Sequence, residues 1–165
     1  MKTITQRNLP LDTKYVVVDK KYIPVLEGGG ACCDNCGRLI ANIATVKNET
    51  SDIYYIGFDC LETILINNNL LSSQDVEDYE RVKKMIPKVI RFSKHIKDVL
   101  AKNPQVTGIL FEKSSYKTDY QTFYWLSNGN LSSRDNDYYK LKDMDFNFMT
   151  DTLKNIFQNL TILIK

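Results

Sequence analysis

The sequence predicts an α+β fold in which a cysteine-bearing hairpin–helix module packs with a long kinked helix and a small antiparallel sheet. Three observations carry that expectation. Short β-branched runs bounded by turn residues occur in the first 60 positions and again after residue 105. Between them, residues 72–102 bear a single apolar stripe at helical spacing. Three of the four cysteines crowd into positions 32–36, and Cys60 is the fourth. With 165 residues the chain suits one domain or two small units. The expected division is 1–71, strands plus the cysteine module, and 72–165, the long helix, a sheet and a C-terminal helix.

Composition excludes several classes. Hydrophobic residues make up 43% and charged residues 25%, the balance of a folded globular protein rather than a disordered or fibrous one. No apolar run approaches the roughly 20 residues a spanning helix needs, so no membrane association is expected. The start, MKTITQRNLPLD, lacks an apolar signal core, and a cytoplasmic location with reduced thiols is the expectation. The net charge of +2 hides a polarity: residues 81–102 carry eight basic side chains against Asp98 alone.

Taken in order, Tyr15–Val18 reads as a strand and Tyr22–Leu26 as a second, with Pro24 confining it to a sheet edge. Gly28-Gly29-Gly30 is a break without the GxGxxG pattern or P-loop lysine of a phosphate cradle. Leu39–Val46 and Ile53–Phe58 form a hairpin around the polar turn 48–52. Asp59 and Glu62 have capping-box spacing, which predicts a short helix from Cys60 to the Asn67-Asn68-Asn69 run. Ser72 and Asp75 repeat that spacing at the start of the long helix, which Asn103-Pro104 ends. Pro87 interrupts its stripe and predicts a kink or two abutting helices. Val106–Glu112, Gln121–Ser127 and Tyr138–Lys142 read as strands, with Asn128-Gly129 as a turn. Met149, Leu153, Ile156, Phe157 and Leu160 give the last segment an amphipathic helical face.

The cysteines carry the chemistry. Cys33-x-x-Cys36-Gly37 has the spacing of a zinc knuckle, whose tight turn lets two thiolates face one ion at about 2.3 Å each. Glycine supplies the positive φ such a turn requires. Cys60 falls where the strand Tyr55–Phe58 passes into a helix, and free amides on a first helical turn ease ionisation of a thiol. Knuckle, hairpin, then a helix with a ligand at its start is the order of a treble-clef zinc site. The common form has a second ligand on that helix, but position 63 is Thr. The fourth ligand therefore stays open between Cys32 and Asp59, with the single histidine, His95, or a water as further candidates. A redox pair fits less well, because its CxxC opens a helix after a strand and this one precedes a hairpin.

Cys33-Asp34-Asn35-Cys36-Gly37-Arg38 followed by Ile53–Leu61 resembles small treble-clef-like zinc-finger modules of uncharacterised phage and mobile-element proteins, which pair a CxxCG knuckle with a later GxxC. The likeness is local, spanning residues 31–64. It implies Zn2+ held by Cys33, Cys36 and Cys60 in a nucleic-acid or phage setting.

The basic helix is a second constellation. At 100° per residue Arg81, Lys84, Lys88, Arg91, His95 and Lys102 fall within an ~80° stripe away from the apolar face. Such a stripe can track a phosphate backbone, and its excess of bases extends well beyond the last turn where the helix dipole favours them. The alternative is a solvated face, the ordinary condition of a surface helix. His95 is expected to be solvated. The aromatics Tyr116, Tyr120, Phe123, Tyr124, Trp125, Tyr138 and Tyr139 suit cross-strand core pairs better than a base-stacking platform. HExxH and GxSxG are absent and no carboxylate pair is singled out, so no enzyme is expected. The reading is a non-catalytic zinc-containing protein that contacts nucleic acid through Arg81, Lys84, Lys88 and Arg91. A protein-interaction or inhibitor module with purely structural zinc is the alternative.

Overall fold

The computed structural model describes residues 9–25, 29–113, 121–132 and 145–165. They form a mixture of helices and small sheets divided into two compact units, Met1–Ile86 and Pro87–Lys165.

In the first unit β1 (Tyr15–Tyr22), β4 (Asn42–Asn48) and β5 (Ile53–Gly57) make an antiparallel sheet in the order β1-β4-β5. Between β1 and β4, β2 (Ala31–Cys32) pairs with β3 (Leu39–Ile40) as a separate two-residue ladder. The second strand expected at Tyr22–Leu26 does not form: β1 runs on to Tyr22, and Ile23 then donates its N–H to Ala41 O outside any strand (3.0 Å). Leu26 lies outside the described residues. The β4–β5 hairpin turns as expected. Asn48 Oδ1 accepts from the Asp52 N–H (2.8 Å) and the Thr50 hydroxyl (2.9 Å), while Ser51 takes the left-handed conformation at φ 73°.

Helix α1 (Phe58–Cys60) continues directly as a π-helical turn, Leu61–Ile66. It starts at Phe58 rather than at Cys60, because Gly57, not Asp59, is the N-cap and no side chain caps it. Phe58, Leu61, Leu65 and Leu70 are buried, as are Ile43, Val46 and Ile56 of the sheet and Tyr79, Val82, Met85 and Ile86 of α2 (Ser73–Lys102). The Phe58 and Tyr79 rings meet edge to face at 5.3 Å. Glu62 on the π-helical turn accepts from the Tyr79 hydroxyl (3.0 Å) and from Lys83 Nζ (2.6 Å), fastening that turn to α2.

Ser72 caps α2 as expected: its Oγ accepts the Asp75 N–H at 3.1 Å and donates to the Asp75 carboxylate at 2.8 Å. The helix is assigned without a break through Pro87, so the two abutting helices do not appear. Proline removes one N–H from the ladder, and the division between the two units falls at this residue.

The second unit takes α2 from Pro87 onward, a four-stranded sheet and α3 (Phe146–Ile156). The sheet order is β8-β7-β6-β9, with β6 (Val106–Lys113), β7 (Gln121–Ser127), β8 (Asn130–Ser132) and β9 (Thr161–Ile164). The β6–β7 and β7–β8 pairs are antiparallel, and β9 adds to β6 in parallel. Asn128 (φ 49°) and Gly129 (φ 78°) close β7–β8 as a two-residue turn, as their sequence predicts. Tyr138–Lys142 lies outside the described residues. Val89, Phe92, Ile96, Ile109, Phe111, Phe123, Trp125, Met149 and Leu153 form the core. The helical reading of the last segment ends at Ile156, and residues 161–164 form the unexpected β9.

Candidate metal centre

The knuckle forms because its backbone closes on itself. The Cys33 N–H donates to Arg38 O (2.8 Å) and the Gly37 N–H to Cys33 O (2.7 Å), with Gly37 at φ 69°. Asp34 then clasps β5. Its N–H donates to Tyr55 O (2.8 Å), and its carboxylate accepts the Tyr55 N–H (2.7 Å). That clasp brings the end of β5, and Cys60 on α1, back to the knuckle.

The Sγ atoms of Cys33, Cys36 and Cys60 all lie within 4.8 Å of one another, a group that could hold a metal ion. Cys33 is buried, and the other two are half-buried. Two further donors aim at the sulfurs: the Gly57 N–H at Cys33 Sγ (3.4 Å) and the Asn35 amide at Cys60 Sγ (3.5 Å). Asn35 is anchored in turn by accepting the Leu9 N–H at 3.3 Å. The Arg38 backbone N–H, ahead of the other thiols, holds Cys36 below the usual thiol value. Burial pushes Cys60 up to about 12 against the pull of the Asn35 amide. A divalent cation among the three would reverse that balance, since it binds sulfur as thiolate.

Neither fourth-ligand candidate adds an atom to this group among the described residues. Cys32 lies on β2 and is exposed while its neighbour Cys33 is buried, the alternation expected of successive residues in extended chain. Asp59 is exposed in the first turn of α1, where its backbone carbonyl accepts the Thr63 hydroxyl (2.8 Å). Cys36, Cys60 and Asp59 line an open cleft of about 490 Å3 together with Arg38, Asn42 and Thr63. Sequence reasoning missed Asn35 and Asn42 as site residues, and named Gly57 only as the glycine of the GxxC pattern, not as a donor to Cys33. Asn35 had a signal, being a polar residue inside the CxxC, and Gly57 stands three residues before Cys60; Asn42 had none.

Of the basic stripe, Arg81 is exposed and paired with Asp78 at 3.0 Å. Lys84 and Lys88 are exposed with no ion pair among the described residues. Arg91 is exposed, and its Nε donates to Pro87 O (3.3 Å). His95 is not solvated as expected: it is half-buried, 6.3 Å from the Trp125 ring. Phe123 and Trp125 are core residues, whereas Tyr116, Tyr120, Tyr138 and Tyr139 lie outside the described residues. No helix among the described residues is long and apolar enough to cross a membrane. Compared with known proteins, the chain matches no family model, no curated protein and no solved structure.

Proposed function

We propose that the chain is a non-catalytic zinc protein that contacts nucleic acid through α2, with Cys33, Cys36 and Cys60 holding Zn2+ in a treble-clef-like arrangement. The observation that carries the metal reading is the convergence of the three sulfurs within 4.8 Å. Tetrahedral zinc with bonds of about 2.3 Å sets its sulfurs about 3.8 Å apart, a spacing that the 4.8 Å bound accommodates for three of its four ligands. Soft thiolates select Zn2+ over hard cations such as Mg2+ or Ca2+. The ion would hold the knuckle to the start of α1 and so supply folding free energy to a region whose own strands are two residues long.

Nucleic-acid contact is supported by Arg81, Lys84, Lys88 and Arg91, which are exposed on successive turns of one helix. Four phosphate contacts would make the logarithm of affinity fall with log salt at a slope of about −3 to −4 on duplex DNA. Titration of a mixed-sequence duplex against the zinc-loaded chain tests this. A salt-independent affinity, or a Lys84→Ala/Lys88→Ala variant that binds as the parent does, would sink the phosphate reading. A protein partner is the second reading, favoured by exposed Val16, Val18, Ile53 and Tyr55 on the first sheet. It predicts a shallow salt dependence.

A further inference from the structure

We infer that β9 is an association edge, at which the second unit pairs antiparallel, strand to strand, with a second copy of this chain. The inference is independent of the metal and nucleic-acid readings. Strand β9 ends the order β8-β7-β6-β9, with β6 on one side and no described strand on the other. The Lys165 N–H donates to Phe111 O, and the register sets Leu163 beside Leu110 and Ile164 beside Phe111. Backbone groups alternate in direction along a strand, so Thr161, Leu163 and Lys165 turn theirs to β6. Those of Ile162 and Ile164 face outward and take no backbone partner among the described residues.

The other edges are guarded. β1 carries Asp19, Lys20 and Lys21 and a register break between Val17 and Asp19. β5 is taken by the Asp34 clasp, and β8 is three residues long, with Asn130 and Ser132 about Leu131. Charges, irregularities and shortness are the devices that blunt an exposed edge. β9 has no charge, proline or register break. Lys165 follows it but is paired with Glu112 of β6 (3.6 Å). Leu163 and Ile164 are 44% and 51% exposed.

A second copy fits because this edge is self-complementary. A dyad through Leu163 sets Ile162 opposite Ile164 of the second copy, and the outward residues exchange N–H···O bonds in both directions. Leu163 meets its own counterpart at the non-hydrogen-bonded position, where side chains come closest. Both exposed apolar side chains thus gain an apolar neighbour, and Lys165 falls opposite Thr161 rather than another lysine. A charged edge would meet its own charge across a dyad; this one does not. The dyad also closes the pairing at two chains.

The contact is small, so light-scattering mass is read between about 1 µM and about 1 mM. The sample is the reduced, full-length chain, in which exposed Cys32 forms no bridge. The expected result is a mass rising from one chain toward two, with slowed hydrogen exchange at the Ile162 and Ile164 amides. Leu163 and Lys165, already bonded to β6, should change less. Ile164→Pro removes an outward N–H and no bond to β6, which an edge strand tolerates. It should hold the mass at one chain while the Trp125 unfolding transition is retained. Leu163→Lys puts like charges on the dyad and should weaken pairing several-fold, less so in high salt. It decides the matter if the proline variant fails to fold. A mass of one chain throughout the range overturns the inference and leaves the edge to a strand of another protein. So does a dimer whose two amides exchange as in the dilute chain, or one undiminished in either variant that folds. Mass growing beyond two chains would replace the dyad with an open head-to-tail contact and overturn it equally.

Discussion

Tyr79 shows how one side chain in the first unit ties stability to pH. Its ring is buried and its hydroxyl donates to Glu62. Burial raises its pKa to about 12, with Lys83 opposing the rise and Glu62 adding to it; burial likewise raises Tyr15 to about 12. Between pH about 10 and 12 the unfolded chain releases phenolic protons that the folded chain keeps, so stability falls as pH rises through that window. Lys83, held above the usual lysine value first by its bond to Glu62, acts with the same sign. Tyr79→Phe is expected to flatten the alkaline limb of a stability–pH profile measured by denaturant titration; an unchanged limb would refute this assignment. The thiols differ in how much of their environment could be read in advance. CxxC spacing is local and announces that Cys33 and Cys36 share a turn. That Cys60 joins them depends on the β4–β5 hairpin and on the Asp34–Tyr55 clasp, of which only the hairpin has a sequence signature. The Asn42 oxygen, which accepts no hydrogen bond among the described residues, has none, because its burial follows from tertiary packing rather than from any local pattern.

Elements with chemical punctuation were the legible ones. Ser72 marks the start of α2 by accepting the Asp75 N–H, Asn103 its end by donating its side-chain amide to Val99 O (2.8 Å), and Asn128-Gly129 the β7–β8 turn by taking positive φ, which few residues adopt cheaply. Punctuation failed at Asp59, whose spacing to Glu62 imitates a capping box. The chain enters the helix two residues earlier through Gly57, where an added Cβ would stand 2.9 Å from Ile40 Cγ2. It also failed at β9, since the short, mainly apolar segment Thr161–Ile164 after an amphipathic helix looks like more of that helix. Gly129→Ala isolates the conformational part of the turn, because the new Cβ would meet no atom within 4 Å while φ stays at +78°. The expected cost is about 1–2 kcal/mol in the second unit. Trp125 fluorescence during unfolding reads it directly, as this is the only tryptophan. A neutral substitution would mean that the turn does not limit the sheet.

At the scale of the whole molecule the chain is two cores joined within one helix, with Pro87 at the seam. A continuous apolar stripe across residues 72–102 conceals that seam, because periodicity records which face is buried and not what buries it. The second core is completed late in sequence. Ile162 of β9 packs against it, and the Lys165 N–H donates to Phe111 O (2.9 Å). Deletion of residues 161–165 is therefore expected to lower the Trp125 unfolding transition; an unaltered transition would make β9 dispensable. The parallel β6–β9 pairing also sets a timetable. Lys113 ends β6 and Thr161 begins β9. At about 5–20 residues per second, a ribosome needs roughly 2–10 s to cross the intervening stretch. Throughout that interval the VTGILF segment, rich in β-formers, presents an unpaired flank to neighbouring nascent chains. The order of synthesis thus makes translation speed between the two strands a control on how much of the protein is recovered soluble.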